Sequence, residues 1–259
     1  MQKCRFQQHI RIFSAILYTR YSRPAVTTNY GKEQKMCGRF TALLTPELLS
    51  ETFGVQLPES IKPRYNIAPT QNIPLVRIEN DGQRHLSYVR WGQATSWAND
   101  LAIGTDLINT AAEILSGEPK SDCLTDNCRG IVPANGFYIW QDGCNKKQPW
   151  YVTRKDGGLM AFAGLLSRWR TPGGNEIDTC TIITTAANDL IRPIHSRMPT
   201  TIAAEELSLW LSASRLSPGN FHSILKTLPP DLLEVYPVDS NVNQPACDTA
   251  DCIKPYQYH

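Results

Sequence analysis

The chain has 259 residues, 41% of them hydrophobic and 19% charged, with a mean hydropathy of −0.32. That composition supplies a sizeable core and excludes a largely disordered polymer; no run approaches the roughly 18–20 apolar residues that a membrane-spanning helix needs. The net charge of +2 is unevenly spread: residues 1–35 carry seven Lys and Arg against one acid, which leaves 19 basic and 23 acidic residues, net −4, for the remainder.

Taken in chain order, the first stretch holds a short apolar patch, Ile12–Tyr18, between Arg11 and Arg20. The patch is short for a secretory signal and no small-residue cleavage site follows it closely, while an Arg-rich, acid-poor leader also fits an organellar presequence. Residues 1–35 are read as an extension, an upstream start or a removable leader, ahead of an internal start at Met36. Residues 36–259 are read as one domain. Thr45-Pro46 and Gly54 bracket a short helix with an N-cap, an N1 proline and a C-terminal glycine. Ile73–Glu79 and His85–Trp91 flank Asn80-Asp81-Gly82 as a hairpin. Strand-like runs follow at Trp150–Arg154, Leu159–Leu165 and Asp178–Thr185, and Ala204–Leu211 and Phe221–Leu228 have helical amphipathicity. The expected fold class is α+β: a single compact domain around a twisted, barrel-like, mostly antiparallel β-sheet with flanking helices.

Eight cysteines are many for an intracellular chain and few for a disulfide scaffold of this length. Cys123/Cys128 and Cys247/Cys252 share a C-x4-C spacing. Structural zinc sites more often use a two-residue gap and recruit a His pair, so these read as loop cysteines, with a disulfide reserved for an exported chain. Neither a metal nor a cofactor is expected.

The sharpest feature is Met36-Cys37-Gly38-Arg39-Phe40. Translation from Met36, or cleavage after it, makes Cys37 the terminal residue and gives it an amine and a thiol two carbons apart. A free α-amine titrates near pH 8 and a thiol near 8.5, so some of each nucleophile is available at neutral pH. Such a 1,2-aminothiol condenses with an aldehyde to an imine and closes to a five-membered thiazolidine; an internal cysteine, whose nitrogen is an amide, cannot.

Further blocks follow in order: Arg64-Tyr65-Asn66-Ile67-Ala68-Pro69, Trp91-Gly92 with Trp97, Ile108-Asn109 and Val132-Pro133-Ala134-Asn135-Gly136-Phe137-Tyr138 with Trp140. After them come Phe162-Ala163-Gly164-Leu165, Ile182-Ile183-Thr184-Thr185-Ala186-Ala187-Asn188 and Ile194-His195-Ser196-Arg197-Met198-Pro199. With the Met36 block, this series resembles the SOS-response-associated peptidase (SRAP) family from Met36 to the Val242-Asn243 segment. The resemblance implies a DNA-damage and DNA-repair protein that binds abasic sites in single-stranded DNA and cross-links covalently to the ring-opened sugar aldehyde through its terminal cysteine. It implies Cys37 as nucleophile, Asn109 as the group that holds the abasic sugar, and His195 as general acid/base at the sugar oxygen, a role that suits an imidazole. Arg39 and Arg197 are the expected phosphate contacts and Trp97 the expected base-stacking residue. Arg64 and Asn66 are expected to organise the loop around the site.

Two positions depart from the family pattern. Ile139 stands where the family has a glutamate that handles protons beside the cysteine amine, and Ala111 stands where the family supplies an arginine. General acid/base groups contribute about 10²–10⁴-fold to a step, so slow or incomplete cross-linking, with reversal most impaired, is expected. Two other readings are compatible with the residues: a thiol autopeptidase, hence a hydrolase, that cuts between Met36 and Cys37, and a catalytically weakened single-stranded DNA-binding paralogue. Lyase-like activity belongs to the first reading. The expected partner is abasic single-stranded DNA acting on a monomer with no membrane, in the cytoplasm of a bacterium or the nucleus or an organelle of a eukaryote.

Overall fold

Apolar side chains in the Ile73–Glu79 and His85–Trp91 runs have to leave water on one face, and the structure buries them by closing a barrel. In the computed structural model, which describes residues 38–57, 61–92, 108–115, 128–141, 148–171, 173–212, 214 and 216–257, β3 (Asn72–Ile78) and β4 (Arg84–Trp91) form the expected hairpin, paired from Asn72↔Arg90 to Ile78↔Arg84. β6 (Arg129–Ala134) pairs with β3 and with β9 (Met160–Arg170), β9 pairs with β10 (Glu176–Ala186), and β10 runs parallel to β4. The ring β3-β4-β10-β9-β6 therefore returns to β3, and the closure removes the sheet edges that would otherwise invite aggregation. β5 (Asn109–Ala111) and β11 (Arg197–Pro199) extend the sheet beside the end of β10.

A second, five-stranded sheet has the order β12-β8-β7-β1-β2: Leu233–Pro237, Pro149–Arg154, Gly136–Trp140, Arg39–Ala42 and Arg64–Ile67. All its pairings are antiparallel. The expected α+β class and barrel-like, mostly antiparallel sheet are thus observed.

Local chemistry sets the helices. α1 (Pro46–Phe53) starts where the Thr45 hydroxyl accepts the Leu48 N–H at 3.2 Å and stops at Gly54, whose φ of 68° lies in the left-handed region open to glycine. The two later helices differ from the sequence reading. Ala204–Leu211 divides into a 3₁₀ turn, Ala204–Glu206, and α3 (Leu207–Leu211), α2 being the single turn Ala112–Leu115 after β5. α4 occupies Pro218–Ile224 instead of Phe221–Leu228. Ser217 caps it by accepting the Asn220 N–H at 3.2 Å, with Pro218 at N1. Past its end, Lys226 is drawn into a two-way backbone pairing with Thr201. β9 and β10 outrun their apolar stretches because Arg168, Asp178 and Glu176 form ion pairs on the exposed end of the hairpin.

The core runs between the two sheets. Phe40 from β1 stands edge-on to Trp91 of β4 at 5.2 Å and to Phe162 of β9 at 6.3 Å, and Phe137 of β7 meets the same Phe162 ring at 5.9 Å. α3 is tied to the barrel by Arg129, a buried β6 side chain whose guanidinium donates to the carbonyls of Trp210 and Ser214, each at 2.7 Å, while Trp210 Nε1 donates back to the Gly130 carbonyl at 2.9 Å. Among the described residues no helix is long and apolar enough to cross a membrane, and no group of three or more His, Cys, Asp or Glu is arranged to hold a metal ion.

The chain passes from the barrel to the second sheet at Asn135. Its N–H donates to the Thr41 carbonyl at 3.0 Å, its Oδ1 accepts the Leu43 N–H at 2.6 Å, and its carbonyl accepts from the Thr153 hydroxyl at 2.9 Å. Gly136 follows with no room for a side chain: a Cβ there would sit 2.5 Å from the Tyr151 ring and from the Val152 carbonyl oxygen. Backbone cannot yield as a flexible side chain can. Gly136→Ala is therefore expected to cost about 1–3 kcal/mol of stability, read as a lower midpoint in urea unfolding; an unchanged midpoint would show that the crossover is not tightly packed.

Candidate functional site

The elements that carry the candidate residues converge on β10. Thr184 pairs with Ala111 of β5 and with Pro199 of β11, so these two short strands lie on opposite edges of the same strand end. Asn109, at the start of β5, is buried and pairs with Ile182. The residue before it is fixed twice: the Ile108 carbonyl accepts the Trp91 indole N–H at 2.9 Å and the Ile182 N–H at 3.1 Å. The indole of the Trp91-Gly92 block thereby sets the position of Asn109.

His195 precedes β11 and is also buried. A turn built on Asn188 holds it: the Asn188 side chain accepts the Ile191 N–H at 3.1 Å and donates to the Leu228 carbonyl at 2.9 Å, and the His195 N–H donates to the Ile191 carbonyl at 3.0 Å. His195 Nδ1 lies 3.1 Å from the Arg197 amide nitrogen and 3.0 Å from the Arg197 carbonyl oxygen. In the neutral tautomer with the proton on Nε2, Nδ1 accepts the amide N–H; with the proton on Nδ1, it donates to the carbonyl. Either tautomer finds a partner at Nδ1, so the Arg197 backbone fixes the orientation of the ring through that nitrogen.

Arg197 crosses the end of β10. Its Nη2 donates to the Thr184 carbonyl at 2.6 Å, and its two terminal nitrogens make a forked pair with Glu113 of α2 at 2.8 and 2.9 Å. The Thr185 hydroxyl adds a bond to the same carboxylate at 3.2 Å. Burial alone would raise the Glu113 carboxyl, but the Arg197 hydrogen bonds and charge outweigh it and hold it below its ordinary 4.5. Glu113 was not singled out from the sequence; the only signal was an acid four residues beyond Asn109, a spacing met on any helix.

The second sheet contributes β1 and β7. β1 begins with Arg39 opposite Tyr138, so the start of the strand lies one register step from Ile139. Phe137 and Ile139 face the main core, whereas Tyr138 belongs to a smaller cluster on the other face with Tyr151, Val238, Val242 and Cys252. Ile139 is 1% exposed, so its position lies within the packed core. Arg39 points to the tyrosine side, where its guanidinium donates to Asn66 Oδ1 at 3.0 Å and to the carbonyls of Val242 and Asn243 at 2.6 and 3.3 Å. Burial lowers its pKa from the ordinary arginine value. Arg64 and Asn66 do organise this region: Arg64 pairs with Asp248 and donates to Gln71 at 2.7 Å, and Asn66 donates to the Val242, Gln244 and Cys247 carbonyls.

Asn109 thus lies opposite Ile182 on one edge of β10, Arg197 lies opposite Ala186 on the other edge with His195 two residues before it, and Arg39 and Ile139 lie on the adjoining sheet. Both arginines expected at phosphates are engaged with acceptors inside the chain. Cys37 and Trp97 lie outside the described residues. Ala111 closes the β5 pairing with β10, opposite Thr184, and presents no charge. Asp248, which accepts the Tyr65 and Asn66 N–H groups at 2.5 and 2.8 Å, went unnoticed in the sequence because its partners are about 180 residues away.

A closed barrel joined by an aromatic core to a five-stranded sheet, with the strand that carries Asn109 and the strand that follows His195 both paired to β10, defines a class of protein. The family model described as SOS response associated peptidase (SRAP) matches residues 36–245, and the chain belongs to that family. It is 40% identical to the abasic site processing protein YoqW of Bacillus subtilis (strain 168), over 85% of this chain and 99% of that protein. It is 33% identical to the abasic site processing protein YedK of Escherichia coli (strain K12), over 68% and 79% of the two chains. It is 27% identical to the abasic site processing protein HMCES of Mus musculus, over 85% and 76%. A crystal structure of a protein from Bacteroides thetaiotaomicron, 22% identical, has the same fold at a TM-score of 0.72, covering 85% of this chain and 100% of that one.

The Arg197–Glu113 fork has a definite pH signature. A carboxyl held below its ordinary value contributes stability in full above that value, and loses it as the pH falls through the folded-state pKa. Both groups are partly exposed, so the contribution is on the order of 0.5–1 kcal/mol. The stability difference between the parent chain and Glu113→Gln is therefore expected to be largest above about pH 5 and to shrink on acidification. Urea titrations across pH 3–7 test this, and a difference that grew in acid would refute it.

Proposed function

We propose that this protein binds abasic sites in single-stranded DNA and joins itself to them through Cys37. The open-chain form of an abasic sugar offers an aldehyde at C1′. The Cys37 amine adds to it, water leaves, and an imine forms; the thiol sulfur then adds to the imine carbon while its proton passes to the nitrogen, closing a thiazolidine. One water is lost overall and no outside reagent is consumed. In this reading His195 passes a proton to the ring oxygen as the sugar opens, through Nε2, and Asn109 holds the sugar by hydrogen bonding. Arg39 and Arg197 contribute positive charge near phosphates from guanidinium groups oriented by their internal bonds, and Trp97 stacks on a base.

What supports the reading is that β5, which carries Asn109, and β11, which follows His195, pair with opposite edges of β10, together with a relatedness to proteins named for abasic site processing. An intracellular, DNA-associated setting and a monomeric working unit go with it. Ile139 favours a slow form of the reaction, since an alkyl side chain neither takes a proton from the Cys37 ammonium nor returns one when the ring opens. Self-cleavage before Cys37 is compatible with the same proposal, because it would unmask the amine; intact mass of the purified chain tests it, and a persistent Met1 start would count against it.

The chain beginning at Cys37, incubated with single-stranded DNA bearing one abasic site, is expected to give a covalent band on a denaturing gel that Cys37→Ala abolishes. No band over hours would overturn the proposal. Ile139→Glu is expected to speed band formation about 10-fold or more, while lowering the unfolding midpoint because it puts a carboxyl into a packed core. An unchanged rate in a folded variant would remove Ile139 as the limiting feature.

A further inference from the structure

The segment after β12 carries a pair of thiols that neither the barrel nor the proposed adduct uses. Residues 242–248 are held along β1 and β2 by three side chains. Asn66 Nδ2 is shared among the carbonyls of Val242, Gln244 and Cys247 at 3.1, 3.0 and 2.7 Å. Arg39 donates to Val242 and Asn243, and the Asp248 carboxylate accepts the Tyr65 and Asn66 N–H groups while pairing with Arg64.

Within this framework Cys247 and Cys252 bring their sulfurs to 3.5 Å. Cys252 donates its S–H to the Cys247 carbonyl at 3.3 Å, which leaves the Cys247 S–H to point at the Cys252 sulfur. Cys252 is 1% exposed beneath Tyr138, Tyr151 and Val242, whereas Cys247 is half-buried. The family match ends at residue 245, short of both.

We propose that Cys247 and Cys252 are a redox-responsive pair that closes to a disulfide and locks this C-terminal segment onto β2. The oxidant is a low-molecular-weight disulfide. Cys247, the accessible member, attacks it as the thiolate and expels one small thiolate, leaving a mixed disulfide. The Cys252 sulfur then attacks the Cys247 sulfur and expels the second. The two protein thiol protons end on the two small thiols, and the two electrons lost by the protein sulfurs reduce the small disulfide. Burial pushes the Cys252 thiol above its ordinary range, which fits the order of attack. A sulfur–sulfur bond is about 2.05 Å long, so the pair must close by about 1.5 Å from 3.5 Å, within reach of side-chain rotation. Because Asp248 lies between the two cysteines, closure restrains the carboxylate that holds the Tyr65 and Asn66 amides.

Oxidised glutathione and the full chain test this. Thr227 to His259 is one tryptic fragment, since Lys254 precedes Pro255, and it contains these two cysteines and no others. After oxidation and alkylation of remaining thiols, the fragment is expected to lack two hydrogens and carry no alkyl group. Cys252→Ser is expected to retain a single glutathione on Cys247 instead. Two alkyl groups, or glutathione on both cysteines of the parent fragment, would overturn the pairing. In the oxidised chain the Tyr65 and Asn66 amides are expected to exchange hydrogen about threefold more slowly or better; unchanged exchange would overturn the locking role.

Discussion

Everything at the site depends on the edge-to-face junction of Phe40, Trp91, Phe137 and Phe162. Two of these rings belong to the five-stranded sheet and two to the barrel, and each buries on the order of 150–250 Å² of surface while limiting its neighbours to a narrow range of ring angles. Phe40 lies three residues after Cys37 on a strand that also pairs with β7. Trp91 reaches from the same junction to the Ile108 carbonyl and so to Asn109. One aromatic cluster therefore ties the strand that follows the candidate nucleophile to the strand that carries the sugar-binding candidate. A small residue at Phe40 would loosen the relation between the two halves, not just empty a cavity.

β10 performs the matching task on the other side. It pairs with β9 and then β11 along one edge, and with β4 and then β5 along the other. A single strand end is thus shared by the elements that bring Asn109 and Arg197, with His195 two residues earlier. Arg197 reinforces this by bonding to β10 and to Glu113 beyond β5. Its forked geometry matters more than its charge here, since a lysine could not reach both carboxylate oxygens and a strand carbonyl with comparable order. The charge balance near the site is lower than a count of arginines suggests, because Glu113 offsets Arg197 and Ala111 adds nothing.

The sequence made legible those features whose determinants are local. The Thr45 cap and Gly54, the Asn80-Asp81-Gly82 turn and the apolar strands all act within a few residues, and α1, the β3–β4 hairpin and β8 appear as expected. The shifted α4 was readable in Ser217-Pro218, a cap followed by an N1 proline, but the amphipathic pattern downstream was the stronger signal. What stayed hidden was pairing at long range. No local rule joins Asp248 to Tyr65, Glu113 to Arg197, β6 to β9 or β10 to β4, and barrel closure depends on those last two relations. At the candidate site the residue identities were read from a series of motif blocks, whereas the partners that orient them came only with the fold. The crossover at Val132-Pro133-Ala134-Asn135-Gly136 shows both: the motif was visible as a string, but its work of switching sheets needs Thr41, Leu43 and Tyr151 in place.

Ile139 brings stability and chemistry into opposition. Its side chain lies in the main core, in a strand bordered by β1 and β8, where an aliphatic group stabilises by roughly 1.5–3 kcal/mol relative to exposure. A carboxylate in the same place would be stripped of water, at a cost of several kcal/mol unless a cation stood against it. In the proposed function the Cys37 ammonium would be such a cation, and only in a chain that starts at Cys37. A glutamate would then link folding stability to removal of the preceding residues, whereas isoleucine packs without any such partner. On that reading the side chain that completes the core is also the one that would slow the proposed reaction, because it offers no group to move a proton.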